Sequence, residues 1–149
     1  MRIGIGLMVT AAVLLAGCGG SNAGKDGTAG KAGTDPLAAT SWNLTALPGA
    51  ELPAAVAVTA QFHEGRLGGG AGCNRYSAAY EVRGDSLRIG RAGITKMMCP
   101  DPQMAVENAF LAALADVATF TLADGRLQLR TAAGGTLAFA AAPFETPQP

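Results

Sequence analysis

Two short blocks bring cysteines together with polar side chains and methionines: Gly72-Cys73-Asn74-Arg75-Tyr76 and Thr95-Lys96-Met97-Met98-Cys99. A cysteine can bond a second thiol, and its thiolate is the reactive form. Asn74 tolerates a left-handed turn and can bond its neighbours' backbone. Arg75 can grip a carboxylate through two parallel hydrogen bonds. Met97 and Met98 suit either a core gap or an adaptable contact surface. The set reads as a pinned strand junction, with a binding surface at Asn74, Arg75, Tyr76 and Thr95 as the functional alternative.

Catalytic patterns are sparse. His63 is the single histidine, which excludes a metal site built from several His ligands, and no His/Cys cluster has ligand spacing. A Ser-His-Asp set must use His63, at the end of a predicted strand, and no serine sits in a nucleophile-elbow context. Gly68-Gly69-Gly70-Ala71-Gly72 invites a phosphate-loop reading, but no Lys-Ser/Thr follows and no helix begins there. Glycines inside a strand more often mark a bend or a close backbone approach. Glu51, Glu64, Glu81, Asp85, Asp101, Glu107 and Asp116 are scattered, and no spacing pairs two for acid–base work. The expectation is a protein without catalytic residues, metal or cofactor.

The third cysteine has a different setting. Met1-Arg2 precedes an apolar run over residues 3–15, followed by Ala16-Gly17-Cys18. A basic start, an apolar stretch and small residues before a cut make a secretory signal, and the run is too short to span a bilayer, which takes roughly 20 apolar residues. Leu15-Ala16-Gly17-Cys18 resembles the lipobox of bacterial lipoproteins. The resemblance implies cleavage before Cys18, acylation of that residue and a membrane-tethered, extracytoplasmic protein. Two or more acyl chains hold firmly where one binds marginally. Gly19, in place of the aspartate associated with inner-membrane retention, implies the periplasmic face of the outer membrane. With Cys18 acylated, Cys73 and Cys99 remain as a pair, and exported proteins usually bond such pairs. Two free thiols and a redox-active pair are the alternatives, although redox pairs are more often C-x-x-C.

The elements that must position these residues follow from pattern. The formal net charge is zero, and the 49 % hydrophobic fraction is inflated by the signal. No basic or acidic run points to nucleic acid or to a disordered tail. Glycine recurs at Gly24, Gly27, Gly30 and Gly33 among small polar residues, the composition of a linker. The expected organisation is a signal over 1–17, acylated Cys18 and linker over 18–40, one domain over 41–142, and a disordered tail over 143–149. Alternating apolar residues predict short strands over 41–47, 56–63, 66–74, 76–82, 86–91, 119–123, 126–130 and 136–140. Glu64-Gly65, Gly84-Asp85 and Asp124-Gly125 separate neighbouring runs as turns. One segment, 103–117, changes to helical spacing, with Val106, Phe110, Ala113, Leu114 and Val117 on one face. Asp101 is the expected cap and Pro102 suits the first turn. The fold class is mainly β (α+β): a small antiparallel barrel-like or sandwich domain of about eight short strands with one helix padding the sheet.

Across 41–141 the chain resembles the META domain, the HslJ-like family of bacterial envelope proteins. The matching residues are Trp42-Asn43-Leu44, Gly49, Phe62, Gly65, the Gly72 to Tyr76 block, Tyr80, the Thr95 to Cys99 block, Glu107, Phe110 and Leu114. The resemblance implies a small barrel-like fold, often on lipoproteins, with links to envelope stress or drug tolerance and no established reaction. The functional expectation is a non-enzymatic envelope lipoprotein that contacts an envelope protein or polymer. The runner-up is a lipocalin-like carrier of a small apolar ligand. An enzyme, such as a hydrolase using His63 or a carboxylate pair, ranks third.

Overall fold

The computed structural model describes residues 34–144. The signal, Cys18, most of the linker and residues 145–149 of the tail lie outside the described residues. Nine strands and one helix follow in the order β1 (Thr40–Ala46), β2 (Thr59–His63), β3 (Arg66–Gly70), β4 (Arg75–Arg83), β5 (Ser86–Ile89), β6 (Gly93–Ile94), α1 (Gln103–Ala115), β7 (Val117–Ala123), β8 (Arg126–Thr131) and β9 (Thr136–Ala142).

Every strand pairing is antiparallel, and the order β3-β2-β1-β9-β8-β7-β5-β4 closes through β3–β4. The result is an eight-stranded barrel. β6 is the extra strand; it continues beyond β5 along the same edge of β4, where Tyr76 faces Ile94. Closure leaves few unpaired edges for other chains to template on. The weakest seam is β5–β7, joined by the single residue pair Ser86 and Thr119 and by the Phe120 amide donating to the Asp85 carbonyl (2.9 Å).

Tight turns set the register. Glu64-Gly65 and Asp124-Gly125 both have positive φ at both positions (48° and 73°, 51° and 67°). That is the type I′ geometry whose twist matches a two-residue hairpin. Alternation then decides which side chains point inward: Trp42 and Leu44, Phe62, Leu67, Tyr76 and Tyr80, Leu87, Phe120, Leu127 and Leu129, Leu137 and Phe139 all join one buried cluster.

The barrel has two unlike poles. At the amino-terminal pole, Leu37 is 0 % exposed within the core, and the Tyr80 hydroxyl donates to Asp35 Oδ2 (2.6 Å). The domain therefore begins near Asp35 rather than at residue 41, because Leu37 supplies an apolar side chain that the short linker pattern concealed. At the other end, Pro143 and Phe144 extend the described chain beyond 142, and Phe144 stacks on His63 with centroids 5.8 Å apart. The opposite pole carries α1, whose Val106, Phe110 and Leu114 enter the same core; Phe110 meets the Tyr76 ring edge-on at 5.2 Å. Pro102 takes the cap position and no side chain caps the helix, so Asp101 does not play the expected role. Val117, expected on the helix, opens β7.

Burial raises both tyrosine hydroxyls well above the ordinary value of 10.0; for Tyr80 the hydrogen bond to Asp35 and its negative charge add to burial. They are the chain's two tyrosines. Above pH 10 the unfolded chain releases phenol protons that the folded chain keeps, so the unfolded state binds fewer protons and stability falls as pH rises. An alkaline titration followed by phenolate absorbance should show no ionisation in the ordinary tyrosine range, then a single cooperative rise coincident with unfolding. Ordinary titration of either tyrosine in the folded protein would contradict this packing.

Candidate binding surface at the helix pole

β3 ends and β4 begins at the helix pole, so the connection between them lies against α1. Gly72 sits there at φ 111°, where a Cβ would stand 3.2 Å from both the Gln103 carbonyl oxygen and Val56 Cγ1. The glycine run thus permits a close approach of backbone to helix.

Asn74 follows, 3 % exposed, and Glu107 of α1 faces it at 4 %. The Asn74 amide donates to Glu107 Oε2 (2.6 Å) and its Nδ2 donates to Oε1 (2.9 Å). Nδ2 also donates to the Met97 carbonyl (3.1 Å), while Oδ1 accepts from the Met97 amide (2.6 Å) and from the Thr95 hydroxyl (3.0 Å). Both Nδ2 hydrogens and both Oδ1 lone pairs are then used. A flipped amide would aim its oxygen at the carboxylate, so the network admits one orientation.

Thr95 extends the network. Its hydroxyl accepts the Arg75 amide (3.0 Å), and its own amide donates to the Arg75 carbonyl (3.0 Å). The disulfide Cys73–Cys99, with Cα atoms 5.9 Å apart, joins the same two segments. Residues 73–75 and 95–99 are therefore held together covalently and by a saturated polar cluster.

Outward from this lock stand Arg75, Thr95 and Lys96, all exposed. Met97 is 56 % exposed and Met98 91 %, so the methionines stand at the surface and do not fill the core. The four predicted surface residues divide. Arg75 and Thr95 face solvent. Asn74 is inside because buried backbone and carboxylate groups consume all its valences, and Tyr76 is inside because strand alternation places it with Ala78 and Tyr80. Its hydroxyl donates to the Thr59 carbonyl (2.9 Å).

Glu107 is the residue whose role the sequence pattern left unread. The available signal was one carboxylate inside the apolar stripe Val106, Phe110 and Leu114. His63 lies at the other pole, with Nδ1 3.8 Å from Glu64 Oε2. Among the described residues, no three His, Cys, Asp or Glu side chains gather at metal-binding distance.

The barrel interior is filled: Phe62, Leu67, Leu127, Leu129, Leu137 and Phe139 are each at most 1 % exposed. Clefts open on the outer surface instead. One of about 570 Å³ follows the β5–β7 seam, lined by Glu81, Arg83, Ser86, Arg88, Val117 and Ala118 among others.

Fold and site together define a small, disulfide-locked β-barrel with one helix pinned across its end. The chain matches the META domain over residues 35–144 and belongs to that family. Among curated proteins none matches it. An NMR structure of a protein from Burkholderia xenovorans is 28 % identical, with a TM-score of 0.63, covering 71 % of this chain and 83 % of that one. A second NMR structure is 22 % identical, with a TM-score of 0.57 and 70 % and 90 % coverage. A crystal structure of a DUF4847 family protein from Bacteroides vulgatus shares the fold at 13 % identity, with a TM-score of 0.52 and 74 % and 97 % coverage.

A hydrogen bond to a buried charged group is worth about 1.5–3 kcal/mol. Asn74→Ala and Glu107→Ala should each lower stability in urea by that order. The double variant should cost less than their sum by about 1–3 kcal/mol, as expected for directly coupled groups. Strict additivity would deny the contact. Cutting the 26-residue disulfide loop by Cys73→Ser with Cys99→Ser should remove about 3.5 kcal/mol on chain-entropy bookkeeping. Unfolding curves that superimpose with and without reductant would mean the bridge is absent or idle.

Proposed function

We propose that this META domain barrel is a non-catalytic, membrane-anchored envelope lipoprotein that works through contacts made by its helix pole, in the service of envelope stress or drug tolerance. The observation that carries the reading is the saturation of Asn74. Its side chain is occupied in holding the Met97 backbone and the Thr95 hydroxyl, and both oxygens of Glu107 are occupied in holding Asn74. The most elaborate polar cluster among the described residues is thus devoted to presenting a surface: Arg75, Lys96, Met97 and Met98. A filled interior supports contact by the outer surface over carriage of a ligand within the barrel. The lipobox resemblance at Cys18 supports the anchor and the periplasmic face of the outer membrane.

Mass spectrometry of the chain purified from membranes is the test of the anchor. The expected product begins at Cys18 and carries acyl mass. Cys18→Ala should leave the membrane fraction or retain residues 1–17. An unacylated Cys18 in the native protein overturns the anchor. Arg75→Glu with Lys96→Glu should abolish the envelope phenotype of the wild type without changing urea unfolding by more than about 0.5 kcal/mol, the range of surface substitutions. An unaltered phenotype would count against the surface.

A further inference from the structure

One outer face of the barrel carries a row of arginines, with exposed Glu64 and Asp85 in the turns at its amino-terminal end. Arg66 on β3, Arg75 and Arg83 on β4 and Arg88 on β5 all occupy outward positions of adjacent strands, since each alternates with a buried or half-buried neighbour. Register places Arg66 opposite Ala79, Arg75 opposite Gly70, and Arg83 opposite Ser86. Four of the eight basic side chains among the described residues share this face. Glu81 is the one acidic side chain on the outward positions of these three strands, opposite Arg88 and only 3.9 Å from Arg83 in an exposed pair. Exposed pairs of this kind are weak. Gly68, Gly70, Ser77 and Ala79 lie between Arg66 and Arg75, so short side chains leave these guanidinium groups standing in relief.

The face has an apolar end. β4 runs from the helix pole at Arg75 to the amino-terminal pole at Arg83, about 27 Å at strand spacing. Beyond Arg75 come Lys96 and the exposed Met97 and Met98, and the Asn74 side chain grips the Met97 backbone. Cations in a row with an exposed apolar tip match an anionic bilayer: phosphates outside, acyl chains within.

We infer that this face docks side-on against anionic phospholipid, with Arg66, Arg75, Arg83, Arg88 and Lys96 at the headgroup phosphates and Met97 and Met98 entering the acyl boundary. The inference rests on the tethered reading proposed above. The chain reaches the barrel at Asp35, on the pole opposite the methionines, and side-on docking brings both poles to the membrane. About 16 residues separate Cys18 from Asp35, a contour of up to roughly 55 Å, which lets the domain lie flat beside its anchor. Tethering also keeps the bilayer at high effective concentration, so a weak surface attraction suffices.

The full chain, purified with its anchor, is incorporated into vesicles of phosphatidylethanolamine with one quarter phosphatidylglycerol, and separately into pure phosphatidylcholine. Hydrogen peroxide, which transfers one oxygen to a thioether and leaves water, then maps exposure of Met97 and Met98 by peptide mass spectrometry. Half-buried Met104 of α1 serves as the internal reference. Oxidation of Met98 should be at least about fivefold slower in the anionic vesicles, the effect of roughly one phosphate-paired cation, and high salt should restore it. Arg75→Ala with Lys96→Ala should lower the docked-to-free ratio on the order of 25-fold, with the alkaline phenolate transition confirming an intact fold. Equal Met98 rates in the two vesicle types overturn the docking. So does protection in intact cells without protection in vesicles, which would assign the surface to a protein or polymer. Flotation separates the two readings: chain that floats with phosphatidylcholine is anchored whatever its footprint. Chain that floats only with phosphatidylglycerol docks without an anchor, and chain that floats with neither does neither.

Discussion

A carboxylate shielded from water must be met by donors, and Glu107 finds them in the backbone and side-chain amides of Asn74. That pair is the constraint on which the helix pole depends. It joins α1 to the start of β4, while the other half of the Asn74 side chain takes hold of Met97. A low-dielectric setting makes such a cluster strong when complete and costly when broken. The disulfide crosses the same junction, so covalent and polar locks reinforce one geometry.

The helix is held at its far end as well. The Asp116 carbonyl accepts the Ala132 amide (2.8 Å) and its carboxylate accepts the Ala133 amide (2.9 Å). α1 is thereby tied to the β3–β4 junction at one end and to the β8–β9 turn at the other. The barrel is joined by a single residue pair at β5–β7, and the chain between those strands, β6 and α1, is tied to the barrel by these bonds. The arrangement explains how a segment as exposed as Lys96 to Met98 keeps a defined backbone path.

Much of this architecture was legible in the chain. Alternating apolar runs located β1, β2, β3, β4, β5, β7, β8 and β9, the Asp-Gly and Glu-Gly pairs marked the hairpins, and the helical stripe located α1. The cysteine blocks pointed to the junction, and the structure bonds Cys73 to Cys99. What escaped has physical reasons. β6 is two residues long, below the length at which period-2 alternation can register. Leu37 is a lone large apolar residue between the glycine-rich linker and β1, with no periodicity to signal its burial. Asn74 and Tyr76 were expected at the surface because polar type, read along one strand, carries no information about a partner 33 residues away. Glu107 was visible as an oddity on an apolar stripe, but its donor could be identified only in three dimensions.

The central claim is that Asn74, itself clamped by Glu107, fixes the backbone of an otherwise exposed segment. Amide hydrogen exchange at Met97, resolved by NMR in the full chain, tests it most directly. An exposed loop amide exchanges with almost no protection, whereas one bonded to a buried acceptor opens only when its cluster opens. The account predicts strong protection of the Met97 amide, lost in Asn74→Ala while core amides of β8 and β9 stay protected. A Met97 amide that exchanges freely in the wild type would contradict it.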